Sequence, residues 1–182
     1  MSANEPTLIG KVYNIPPQPP VEADNHLIPA GVLTFGVEYR YVDPESLRAT
    51  YAGNASQLAE LEERSPEGGF FDSGVSIHVS GTDDGFEYLR FDVFDDEPHY
   101  HYVHRTTDGT IQNQVIDFDT TAHGAMLPWV VNCLRTRLPE MLRAAGGVQL
   151  AAAVDRDEIA TAIDAVEDKA RQSTRSNATT ER

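Results

Sequence analysis

The sequence predicts an α+β fold: a meander of about five antiparallel strands with helices packed on one face, preceded by an extended proline-rich arm and followed by an amphipathic C-terminal helix. Three observations carry this. Five stretches between Val32 and Phe118 alternate apolar and polar residues, as half-buried strands do. Turn residues stand between the later ones, at Thr82-Asp83-Asp84-Gly85, Asp95-Asp96-Glu97-Pro98 and Thr107-Asp108-Gly109. Beyond residue 124 the period changes, with Leu127, Val130, Val131, Leu134, Leu138, Met141 and Leu142 recurring at spacings of three and four.

The elements follow in order. Residues 1–30 include Ile15-Pro16-Pro17-Gln18-Pro19-Pro20, where proline fixes φ and removes amide donors, so this arm is expected to be extended chain. Its apolar residues, among them Leu8, Ile9, Val12, Tyr13, Leu27 and Ile28, are more numerous than a solvated linker needs, which suits docking in cis or on a partner. A single α+β domain spans 31–147. Its first strand, Val32–Val42, sets Leu33, Phe35, Val37, Tyr39 and Tyr41 against Thr34, Gly36, Glu38 and Arg40. Residues 45–64 carry a helical stripe of Leu47, Tyr51, Leu58 and Leu61, divided by Gly53 and Asn54.

The remaining strands are Phe70–Ser80, Glu87–Phe94, His99–Arg105 and Thr110–Phe118. The principal helix covers about 124–145, with a kink at Pro139 because proline has no amide for the carbonyl of residue 135. Residues 148–172 hold the C-terminal helix, with Ile159, Ala162, Ile163, Val166 and Ala170 on one side, and the polar segment 173–182 is expected to be disordered.

Strand parity then sorts the polar residues. Side chains two apart share a face, so His99 and His101 lie opposite Tyr100, Tyr102 and His104. The tyrosines offer more apolar area to the helices, which turns His99 and His101 toward the polar face with Glu38, Arg40, His78, Arg90 and Asp92. These seven are the candidate ligand or interface residues, and no catalytic residue is assigned. Imidazoles with a carboxylate suit a divalent transition metal, and the candidate ligands are His99, His101, His78 and Asp92, with Glu38 as a further donor. Arg40 and Arg90 on the same face suit a small anionic ligand. The plainer alternative is a solvated polar face or a subunit interface. His123, close to Asp119, reads as a capping or packing residue before it reads as a base.

Composition narrows the function classes. Met1–Leu134 holds six basic and 21 acidic residues and carries the whole net charge of −15, while Arg135–Arg182 balances eight against eight. Such a surface repels phosphate, which argues against nucleic acid or anionic membrane as a partner. The lone Cys133, inside an apolar helical pattern, reads as an inert buried thiol. No secretory pattern opens the chain and no apolar run approaches a membrane span, so a reducing cytoplasm is the expected compartment. Phosphate-binding glycine loops, nucleophile elbows and paired-cysteine motifs are missing from the sequence. The leading expectation is therefore a non-enzymatic accessory or interaction protein, a small subunit of a homo- or hetero-oligomer. The alternative is a small metal-dependent enzyme or a metal- or ligand-binding domain using the histidine–carboxylate cluster on an exposed sheet face.

Overall fold

A computed structural model describes residues 9–180. In chain order the elements are β1 (Lys11–Tyr13), β2 (His26–Ala30), β3 (Leu33–Val42), α1 (Pro44–Tyr51), α2 (Ala55–Arg64), β4 (Asp72–Gly81), β5 (Glu87–Phe94), β6 (His99–Arg105), β7 (Ile111–Asp117), α3 (Thr120–His123), α4 (Met126–Thr136), α5 (Leu138–Ala144), α6 (Val148–Ala153) and α7 (Arg156–Thr180). The strands form one antiparallel sheet of seven in the order β1-β7-β6-β5-β4-β3-β2. Strands β3 to β7 are the expected meander. The two further strands come from the N-terminal arm, which is not a separate extended segment but both edges of the sheet.

The arm reaches those edges for a backbone reason. The outer strands of a five-stranded meander each leave a row of N–H and C=O groups unpaired. β1 satisfies one edge through Lys11↔Val115 and Tyr13↔Asn113, and β2 the other through His26↔Val37 and Ala30↔Leu33. Between them the chain crosses the sheet, and Gly36 permits the close approach at the far side: a Cβ there would lie 2.5 Å from Asn25 Oδ1. Pro29, which has no amide to offer, stands on the exposed edge strand, where proline is tolerated. Leu8, part of the same apolar set, lies outside the described residues.

One face of the sheet carries the core. Leu33, Phe35, Val37, Ile77, Val79, Leu89 and Phe91 are fully buried against Val130, Leu134, Leu138, Leu142, Ile163 and Val166 of α4, α5 and α7. Each such side chain contributes about 1.5–3 kcal/mol of transfer free energy. Tyr100 and Tyr102 pack against this core, with Trp129 5.1 Å from the Tyr100 ring, as parity requires. Tyr41, also expected on this face, is 58 % exposed because it lies near the end of β3.

The helices depart from expectation in four places. Pro139 breaks rather than kinks the principal helix: Arg137, with φ −125° and ψ −3°, ends α4 and begins α5. Gly147 is followed by the short helix α6. α7 continues to Thr180, past the expected end at Gln172, so the disordered tail expected from Ser173 is helix as far as it is described, and Glu181 and Arg182 lie outside the described residues. Its apolar stripe, Ile159 to Ala170, is buried in cis. Finally, α1 and α2 do not join the helices on the core face. They cover the opposite, polar face, so the sheet has helices on both sides. Among the described residues no helix is long and apolar enough to cross a membrane. Cys133 is buried in the core, and burial pushes its thiol pKa up, away from the reactive thiolate.

Candidate functional site

The polar face is covered, which corrects the expectation of an exposed one. Glu38 is 1 % exposed, His78 and Arg90 3 %, Asp92 4 %, and Arg40 and His101 6 %. The N-terminal arm and the α1–α2 pair form the cover. Val21 N donates to Glu38 Oε2 at 2.9 Å, Arg40 Nη2 donates to Gln18 Oε1 at 2.7 Å, and Tyr51 Oη donates to the Pro16 carbonyl at 2.7 Å. Alternation had shown polarity; it could not show that another part of the chain lies on top.

The register brings all seven candidate residues onto this buried face and divides them into two groups. β3–β4 pairing sets Glu38 opposite Ser76 and Gly36 opposite His78, and β4–β5 pairing sets Ser76 opposite Asp92 and His78 opposite Arg90. β5–β6 pairing continues with Asp92 opposite His99 and Arg90 opposite His101.

The first group is Glu38, Arg40, His78, Glu87 and Arg90. His78 Nε2 meets Glu38 Oε1 at 3.0 Å and its Nδ1 meets Glu87 Oε1 at 3.2 Å, so both ring nitrogens face carboxylates. Arg90 donates from Nε and Nη2 to the two oxygens of Glu87 at 2.6 and 2.9 Å, a bidentate pair. Arg40 Nη1 donates to Glu38 Oε1 at 3.0 Å. Burial by itself would lower the pKa of His78, but Glu87 and Glu38 outweigh it and raise the value. Likewise burial would raise the carboxyl of Glu87, and the Arg90 and His78 charges hold it well below the usual range. This group is closed upon itself, so neither His78 nor Glu38 is available to complete a shell around His99 and His101.

The second group is Asp92, His99 and His101, whose ligand atoms all lie within 4.8 Å of one another. His101 Nε2 is 2.9 Å and His99 Nε2 3.2 Å from the same oxygen, Asp92 Oδ2. Each residue is held from behind. The Ser76 hydroxyl donates to Asp92 Oδ1, His99 Nδ1 meets the Glu97 carbonyl at 2.7 Å, and His101 Nδ1 meets Asn113 Oδ1 at 2.7 Å. The turn that presents the Glu97 carbonyl is itself fixed by Asp72, whose carboxylate accepts from Asp96 N and Glu97 N at 3.2 and 2.8 Å. Phe94 and Phe70 stand at 5.5 and 6.4 Å, edge-on to the His99 ring. Burial opposes charge on both imidazoles, and the balance differs: Asp92 raises the His99 pKa overall, while burial leaves His101 lowered.

All three residues line a cavity of about 380 Å³ between the sheet and its cover. Arg40 and Arg90 share its floor, and Leu47, Tyr51 and Leu61 from α1 and α2 supply its roof. The helical stripe of residues 45–64 thus faces a cavity rather than a core. Ser76, Asn113, Glu97 and Glu87 went unnoticed in the sequence because a serine, an amide and a backbone carbonyl carry no motif. Strand parity places Glu87 with Leu89 and Phe91 on the core face, and only the register shift between Val79 and Ser80 in the β4–β5 pairing lets it join Arg90. Of the other histidines, His104 meets Gln114 Oε1 at 3.3 Å on the helix side of the sheet, and His123 is exposed with its ring 5.5 Å from Phe118.

A family model described as a domain of unknown function, DUF7700, matches residues 27–170 of the chain. No curated protein and no solved structure matches it.

Proposed function

The chain belongs to the DUF7700 family, and for this member we propose a metal-dependent, small-molecule function in which Asp92, His99 and His101 hold a divalent transition metal ion on the floor of the cavity. The observation that carries the reading is the orientation of the two imidazoles. A backbone carbonyl only accepts, so His99 Nδ1 must carry a proton, and a neutral ring then aims its Nε2 lone pair at Asp92 Oδ2. His101, with Asn113 Oδ1 on its Nδ1, aims a second lone pair at the same oxygen. A cation among these three atoms would satisfy both lone pairs and the carboxylate at once. Two protons would make two imidazoliums, with ring centroids 4.9 Å apart, in a buried site beside Arg90. One metal ion replaces both.

Separations of 2.9 and 3.2 Å between donor atoms also match the ~3 Å edge of a coordination polyhedron with bonds of about 2.1 Å. Every donor has an outer partner, in Ser76, Glu97 and Asn113, as metal-bound histidines and carboxylates do. Two imidazoles and one carboxylate leave coordination positions free, the pattern of catalytic rather than structural sites, and suit Zn²⁺ or Fe²⁺. An ion there would act as a Lewis acid on a ligand entering the cavity.

Elemental analysis of protein purified without an affinity tag tests this. The expected result is about one equivalent of a transition metal, native or after replenishment, whereas less than ~0.1 equivalent under both conditions overturns the reading.

The accessory-subunit reading loses its main motive, because both apolar ends dock in cis. It keeps one support, the exposed Val21 and Leu27 beside the β2 edge, 53 % and 59 % exposed. Light scattering showing a monomer would remove that support as well.

A further inference from the structure

We infer that the ligand received by this cavity is a small organic carboxylic acid, its carboxylate set on Arg90 beside the metal position and its apolar body against the roof. The inference deepens the metal reading and shares its cavity, but it rests on different residues. The protein carries a net charge of −15, yet the buried charged residues lining the cavity, apart from the proposed ligands, are both arginines, Arg40 and Arg90. Their partner carboxylates, Glu38 and Glu87, are not part of the lining. The acidic lining residues Glu97 and Asp117 are exposed, and so are Lys11 and Arg64.

Arg90 has five N–H donors and gives one from Nε and one from Nη2 to Glu87. Its Nη1 makes no hydrogen bond among the described residues, although the residue is 3 % exposed. A buried guanidinium with unspent donors at a cavity is a receptor for a planar anion, and a carboxylate fits its fork. Arg40 differs, since Gln18 and Glu38 hold it in place from two sides. Apolar side chains, among them Ile15, Leu47, Tyr51, Leu61, Phe70 and Phe94, make up much of the remaining lining, with Gln18, Ser65 and Asn113 as its neutral polar members. At about 380 Å³ the space lies toward the small end of the 300–1,000 Å³ typical of small-molecule sites, which favours a short aliphatic or single-ring acid over a nucleotide or peptide.

The test uses the full chain loaded with Zn²⁺, and separately the chelated protein, against linear and aromatic monocarboxylates from acetate to phenylpropionate and their uncharged amides. Binding is read by calorimetry and by ligand-observed NMR. At least one acid is expected to bind the Zn²⁺-loaded protein about tenfold or more tightly than its amide, in line with the strength of charge-assisted pairing. Leu61→Trp, which fills the roof from α2 and replaces none of the metal donors or their hydrogen-bond partners, is expected to abolish acid binding with metal stoichiometry unchanged. Acids that bind no better than their amides, or a panel in which no acid binds, overturn the inference even when the metal content stands. Acid binding to a protein that takes up no metal upholds the acid site and removes the metal reading instead.

Discussion

Two histidine clusters lie side by side on one buried sheet face, and they are built on opposite principles. Around His78 each ring nitrogen has a carboxylate of its own, Glu38 or Glu87, and each carboxylate has an arginine. Charges alternate, and the hydrogen bonds close the group. Around Asp92 two imidazoles compete for one oxygen while their other nitrogens are occupied by neutral acceptors. The first arrangement satisfies both nitrogens of His78 and holds the sheet face and its cover, leaving Arg90 Nη1 toward the cavity. The second converges three donor atoms within 4.8 Å of one another, the arrangement on which the proposed metal site rests. His78 and His101 are nearly equally buried; partner chemistry tells the two groups apart.

The largest effect expected from breaking this contrast is in the closed cluster. Arg90→Met leaves Glu87 with only His78 and takes a guanidinium charge away from Asp92, and removing one member of a buried pair costs about 3–5 kcal/mol, to be read from urea unfolding of the chelated protein. Asp92→Asn addresses the converging cluster. It is expected to keep the fold by far-ultraviolet circular dichroism and to weaken Zn²⁺ binding by more than about a hundredfold in a chelator competition. Asn113→Ala, which releases only the His101 ring from behind, should weaken it by about 10- to 100-fold.

The pH dependence of stability separates the clusters further when metal is chelated. The His78 pKa is raised in the folded state, so its contribution is fully present below the unfolded value of about 6.5 and is lost as pH rises through the folded value. Glu38 and Glu87 are lowered, so their contributions are present above about 4.3 and are lost as pH falls toward their folded values. Stability should therefore be greatest between about pH 4.3 and 6.5, and His78→Gln should weaken the alkaline limb, leaving the part that comes from His99, whose pKa is also raised. Unchanged alkaline behaviour in that variant would show that His78 is not charged between its two carboxylates.

The smallest effect serves as a control away from both clusters. Asn54 caps α2 by accepting from Gln57 N at 3.1 Å. Asn54→Ala should cost about 1 kcal/mol, or roughly 2–4 °C in Tm, and leave metal stoichiometry untouched.

Much of this was legible in the residues. The five meander strands fall within about two residues of their predicted bounds, because alternation over a sheet buried on its helix side is enforced residue by residue. The same parity placed His99 and His101 with Asp92 and set His104 apart. It did not reveal that His78 and Glu38 are spent on each other, since which side chains meet diagonally depends on rotamer and register together.

By itself the sequence determined which residues share a face, because the two-residue period of a strand is covalent geometry. Only the tertiary structure decided what lies over the polar face. Edge pairing draws the arm to β7 and β3 through backbone groups that every residue possesses, so no side-chain pattern announces it. That crossing, with α1 and α2 beside it, turns a polar surface into a buried cavity. Burial removes water as the competing partner, and the direction of each imidazole nitrogen then acquires chemical meaning.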